Sequence, residues 1–89
     1  MTREELEYLV NLDESRLALL LIVSKQLDSA INKHNPMNSF HEGYAVILEE
    51  LDELWDEVKL QKPDFVNLRK EAFHVAAMGL RFVFDLTQE

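Results

Sequence analysis

The sequence predicts an all-α fold, with three main helices in an antiparallel bundle completed by oligomerisation. Three observations carry this. Apolar residues recur at three- and four-residue steps through most of the chain. Pro36 and Pro63, each close to a residue of capping type, divide the chain into three segments. Glycine occurs only twice, and no strand alternation, glycine-rich loop or internal repeat competes with the helical pattern. At 89 residues the chain is read as a single domain, 1–89.

The first helix is expected over about 3–34. Thr2 and Glu5 have capping-box spacing, in which the hydroxyl satisfies one early backbone N–H and the carboxylate reaches back to another. Leu6, Leu9, Val10, Leu17, Leu20 and Leu21 continue the pattern, while Asn11, Asp13 and Ser15 are cap-type residues able to bend or restart the helix. The run Leu17 to Val23 (LALLLIV) is apolar on every side, more than one partner helix covers. Either other subunits cover it or the two other helices of its own chain grip it from both sides; both readings make it core.

Asn35 and Pro36 end that helix, because a residue before proline is pushed out of the α region and proline supplies no N–H. Ser39 and Glu42 repeat the capping-box spacing and open a second helix, about 40–60. On a wheel of 100° per residue, Tyr44, Ile47, Leu48, Leu51, Leu54, Trp55 and Val58 share a sector about 120° wide that is expected to face the core. Gln61, Lys62 and Pro63 break the chain again, and Asp64 caps a third helix, about 64–87. That helix has two apolar faces, one through Leu68, Ala72, Val75, Gly79, Phe82 and Leu86, the other through Val66, Phe73, Ala77, Leu80 and Phe84, so it is expected to be sandwiched. Gly79 and the alanines would admit a close neighbour. Its polar stripe runs through Glu71, His74, Met78, Arg81 and Asp85.

Composition narrows the function. The formal net charge is −8, from 17 acidic residues against nine Lys plus Arg, which argues against a nucleic-acid surface and favours cations as ligands. No cysteine is present, so disulfides, thiolate metal sites and thiol nucleophiles are excluded. The longest apolar run is the seven residues from Leu17, too short to span a bilayer, and Met1 to Glu5 lacks the basic start of a signal peptide. The expectation is a cytoplasmic protein with no nucleic-acid or membrane partner. An apolar fraction of 47% is generous for so short a chain and points to burial between subunits, as a homodimer or homotetramer.

The second helix also carries two acidic stripes, Glu50, Glu53 and Glu57 on one side and Glu49, Asp52 and Asp56 on the other. Like charges three or four apart cost a few tenths of a kcal/mol per pair, so a relieving cation is worth seeking. Two acids three apart on a helix project side by side, and a second such pair on a facing antiparallel helix closes a nest of oxygen ligands of the kind Mg²⁺ takes. Glu50 and Glu53 form the first pair; Glu71 opens the second, with His74 where its acidic partner would stand.

This arrangement resembles the MazG-like all-α nucleoside triphosphate pyrophosphohydrolases, whose motif is ExxE followed after a variable gap by ExxD. EELDEL supplies Glu50 and Glu53, and EAFHVAAMGLRF supplies Glu71 within a helix of small and apolar residues. The resemblance covers Asn35 to Leu86. It implies a helical bundle assembling as a dimer or dimer of dimers, with Mg²⁺-dependent hydrolysis of a nucleotide between its α and β phosphates to a monophosphate and pyrophosphate. It further implies Glu50, Glu53 and Glu71 as metal ligands, with Glu50 or Glu53 as a catalytic group orienting the attacking water. His74 departs from the motif: as a ligand it favours Mn²⁺, Zn²⁺ or Ni²⁺ over Mg²⁺. It could otherwise act as a base or hydrogen-bond a substrate, or pair with Glu71 or Glu50 with no metal.

Further candidates sit around this set. Trp55 could stack a base, although its place in the apolar sector suits packing. Arg81 could meet phosphate or pair with Asp85 four residues on. Lys59 and Lys62 suit the end of their helix, His34 and His41 flank a turn, and Glu49, Asp52 and Asp56 are expected to face water. The competing class of function is a noncatalytic helical interaction module whose acidic stripes keep it soluble or meet a basic partner.

Overall fold

The computed structural model describes residues 1–88 and is all-α, with four helices rather than three: α1 (Arg3–Val10), α2 (Glu14–Lys33), α3 (Phe40–Val58) and α4 (Phe65–Leu86). The expected 3–34 helix is divided at Asn11 to Asp13. Asp13 in extended conformation accepts from the backbone N–H of Arg16 at 3.0 Å and from its guanidinium, so α2 starts with its own cap. The Asn11 side chain meanwhile donates to the Glu7 carbonyl at 2.9 Å and closes α1. Local polar groups here outcompete a continuous apolar stripe.

The remaining starts follow the sequence. Thr2 and Glu5 form both bonds of a capping box, at 3.1 and 2.7 Å. At α3, the Ser39 hydroxyl accepts from Glu42 N, but the Glu42 carboxylate reaches Asn38 N at 2.8 Å, one residue further back than a capping box requires. Asp64 accepts from Val66 N and Asn67 N at the head of α4.

α4 is the middle element. It packs along α3 on one side and α2 on the other, although of its second expected face only Phe73 and Ala77 are covered while Val66, Leu80 and Phe84 are exposed; α1 has no extended packing with any other helix. The closest approach is not at Gly79, where an added Cβ would meet nothing within 4 Å. It is at Gly43 of α3, where a Cβ would lie 2.5 Å from the Phe82 ring and 2.9 Å from Leu86.

The seam between α3 and α4 is phased differently from the expected core sector. Ile47 and Leu54 of that sector turn inward, together with Gly43, Val46, Glu50 and Glu57 from outside it. Tyr44, Leu48, Leu51, Trp55 and Val58 are exposed, Trp55 at 58%. α3 therefore has a second apolar arc, about 100° from the first, that its own chain leaves open. The LALLLIV segment behaves alike: Leu17, Leu19, Leu20 and Leu21 are exposed, so the chain does not grip it from two sides.

The link from α2 to α3 is tied down by a buried ion pair. The Arg81 guanidinium meets Asp85 at 3.3 Å through Nε and donates through Nη2 to the Asn35 carbonyl at 2.8 Å. Asp85 also accepts from Met37 N at 3.0 Å, and Met37 is buried beside it. This fixes the turn containing Pro36 over the polar stripe of α4. Among the described residues, no helix is long and apolar enough to cross a membrane.

Candidate metal centre

The short turn after Val58 makes α3 and α4 antiparallel, so residues equidistant from it face each other. Gly43 meets Phe82 and, two turns nearer the turn, Glu50 meets His74. A three-residue step on each helix then brings Glu53 and Glu71 into the same place. One ligand atom from each of Glu50, Glu53, Glu71 and His74 lies within 4.8 Å of all the others. Ligands opposite one another across Mg²⁺ are about 4.2 Å apart, since each stands at roughly 2.1 Å.

The four residues are not equivalent. Glu71 and Glu50 are the most enclosed, with side chains 14% and 23% exposed, and the Oε2 atom of each is shut off from water without a hydrogen-bond donor among the described residues. The nitrogen that faces both is His74 Nδ1, at 3.5 Å from Glu71 and 3.6 Å from Glu50. Those are ion-pair separations, too long for hydrogen bonds. Burial, followed by the negative charge of Glu53, pushes the Glu50 carboxyl above its usual range; Glu71 adds to this and His74 opposes it. Glu53 is exposed at the mouth.

The donor set fits a divalent cation. Three carboxylates around one imidazole leave an excess of negative charge, and two of their oxygens lack partners in a seam from which water is excluded. The oxygens suit Mg²⁺ and Mn²⁺, and the imidazole nitrogen moves the preference toward Mn²⁺.

Two cavities open from Glu50. One, about 250 Å³, is lined by Glu50 and His74 together with Gln26, Ser29 and Lys33 of α2. The other, about 460 Å³, runs under the α2–α3 turn past His34, Asn35 and Glu42 to Arg81. The α2 residues of the first cavity escape a reading of the motif alone, because they lie far from it in sequence. The polar side of α2 (Gln26, Ser29, Lys33 at helical spacing) is the signal that could have found them.

Of the other candidates, Arg81 is 7% exposed and committed to Asp85 and the Asn35 carbonyl, although it borders the second cavity. Trp55 lies on the exposed arc of α3, away from the carboxylates. Lys59 pairs with Asp56 at 3.0 Å. Glu49, Asp52, Asp56, His34 and His41 are exposed, as expected. No family model, curated protein or solved structure matches this chain.

Proposed function

We propose that the protein is a divergent MazG-like nucleotide pyrophosphohydrolase, self-associating as a homodimer or homotetramer, that hydrolyses a nucleoside triphosphate to its monophosphate and pyrophosphate. The observation that supports it is the convergence of Glu50, Glu53, Glu71 and His74 within 4.8 Å, in the ExxE and ExxH spacing of facing helices. Glu50, Glu71 and His74 would hold Mn²⁺ or Mg²⁺ from the enclosed side and Glu53 from the mouth. When bound, such a cation supplies positive charge that polarises a phosphoryl oxygen.

The residues of the chain divide the remaining work. Glu53, exposed at the mouth, is placed to orient a water and accept its proton at a carboxylate oxygen. Lys33 and His34 border cavities that reach Glu50 and offer donors to phosphate oxygens. Arg81 holds the turn that roofs the second cavity, and so positions the site without being free to bind.

Incubation with a panel of nucleoside triphosphates and Mn²⁺ or Mg²⁺ tests the reading. Pyrophosphate release that Glu53→Gln abolishes is expected; no release from any nucleotide sinks the enzyme. The competing reading, a noncatalytic helical module, draws on His74 standing at ion-pair range of both enclosed carboxylates. Under it, calorimetry detects neither cation nor nucleotide binding that Glu50→Ala removes.

A further inference from the structure

The chain carries more surface than a folded monomer of its mass. A globular protein of 10.4 kDa exposes about 5,400 Å². This one exposes 7129 Å², an excess of roughly 1,700 Å². Its Cα radius of gyration is 15.1 Å, against about 12 Å for a compact chain of this length.

Part of the excess lies on α1, which is unpacked and exposes Leu6, Tyr8 and Val10, and part lies on one face of the helical layer. α3 and α4 are antiparallel and α2 runs parallel to α4, so the wheel positions of all three helices can be referred to one frame. Glu53, His74 and Lys33 fall on one side of the layer, the side of the carboxylates and both cavities. The exposed apolar residues fall on the other. There α3 contributes Leu51, Trp55 and Val58, and α4 contributes Ala72, Ala76 and Val83. Leu17 and Leu20 continue the surface on α2. Where α3 and α4 form this surface its charged residue is Arg69, whose guanidinium lies over the Phe73 ring at 5.0 Å, and on α2 exposed Arg16 lies beside Leu20.

We propose that this face docks a second copy of the chain, with α4 crossing the α4 of the partner near Ala76 and Gly79. Three arguments select that occupant. The excess area, shared between this face and α1, is about twice the 800 Å² per partner of a standard interface, so the face can supply one. Where α3 and α4 form it, the face is almost uncharged although the chain carries a net charge of −8, so two copies meet there without bringing their acids together. Gly79 has open space where a Cβ would stand, and exposed alanines line the same helix, so two backbones can approach closely. A two-fold axis through this patch makes it self-complementary and leaves both carboxylate clusters open on the outer sides.

The proposal rests on the self-association in the reading above and on no part of the metal chemistry. The chain has no cysteine, so single thiols report directly. Ala76→Cys places one in the centre of the face, and Ala45→Cys places one on the opposite, exposed flank of α3. In the folded protein at micromolar concentration, maleimide labelling of the first is expected to be at least about tenfold slower, and to approach the second on dilution. Light scattering is expected to give a multiple of 10.4 kDa. Acrylamide quenching of Trp55 in the unaltered chain covers the case in which Ala76→Cys disturbs packing, with protected, blue-shifted emission expected. A mass of 10.4 kDa with freely quenched Trp55 overturns the proposal. So does an oligomer in which both thiols react equally, since association then uses another face. Mn²⁺ titration of the same sample reads the metal centre separately.

Discussion

Replacing Glu50 by glutamine distinguishes a metal centre from an acidic surface that happens to contain a histidine. Glutamine keeps the shape of the side chain and deletes a charge that burial and Glu53 both disfavour. Because the Glu50 carboxyl is raised in the folded chain, the folded state holds that proton to higher pH than the unfolded state does. The metal-free protein therefore gains stability as pH falls through the raised value, and loses it as pH climbs past. Glu50→Gln stays neutral throughout, so without metal it is expected to melt above the parent at pH 7, the two converging at acid pH. With Mn²⁺ the order reverses. A cation at 100 times its Kd stabilises the parent by about 2.7 kcal/mol, roughly 10–20 °C for a domain of this size. Loss of a ligating carboxylate weakens binding by more than the roughly 10–100-fold that a supporting residue costs. At the same Mn²⁺ concentration, less than about 0.5 kcal/mol then remains. Thermal melts at fixed protein concentration read both effects. A parent that Mn²⁺ does not shift, or a variant that is less stable without metal and still shifted by it, refutes the reasoning.

His74→Asp completes the ExxD motif and replaces nitrogen by oxygen. Calorimetry is expected to show Mg²⁺ binding gaining relative to Mn²⁺; an unchanged ratio removes His74 from the ligand set. Arg81→Ala leaves Asp85 buried without its counter-charge and frees the Asn35 turn, a loss of about 3 kcal/mol or more by denaturant titration. A loss under about 1 kcal/mol would mean the pair is not buried in solution. Gly43→Ala gains about 1 kcal/mol of helix propensity but drives a methyl into Phe82 and Leu86, costing about 1–3 kcal/mol. It is expected to be neutral to destabilising, and a clear gain in melting temperature would show a looser seam.

Which parts of the fold the sequence discloses depends on how local their causes are. The caps at Thr2, Ser39 and Asp64 involve atoms within four residues, and each stands where its spacing places it. The break at Asp13 is equally local, yet a continuous apolar stripe masks it, because periodicity averages over a window longer than one turn. The phase of α3 is harder. The helix has two apolar arcs, and a helix wheel gives the wider one, which contains Leu51, no label that says whether it meets α4 or another molecule. Glu50 and Glu57, read as the edge of the helix, in fact line the seam. The candidate site was legible because an i, i+3 pair on each of two antiparallel helices leaves little choice of meeting point. The lining from α2 was not, since it depends on how α2 lies across α4, which no short motif encodes.

The metal centre and the docking face bear on one another through the stability of so open a chain. Few side chains are fully enclosed: Ala30, Met37, Ala77 and Arg81 are the buried ones besides Gly43. Against that small core stand the enclosed and unpartnered oxygens of Glu50, Glu57 and Glu71 in the seam. Each such group costs about 1–3 kcal/mol when left unsatisfied, and a folded domain has only about 5–15 kcal/mol in total. A cation bound there would relieve the first and third of these from one side of the layer, and a second copy docked as proposed would supply the missing apolar burial from the other. Each would bind the folded state alone and so deepen the same well by mass action. The seam carboxylates can then be retained in a helix pair that, as a lone metal-free chain, would be stabler with apolar residues in their place.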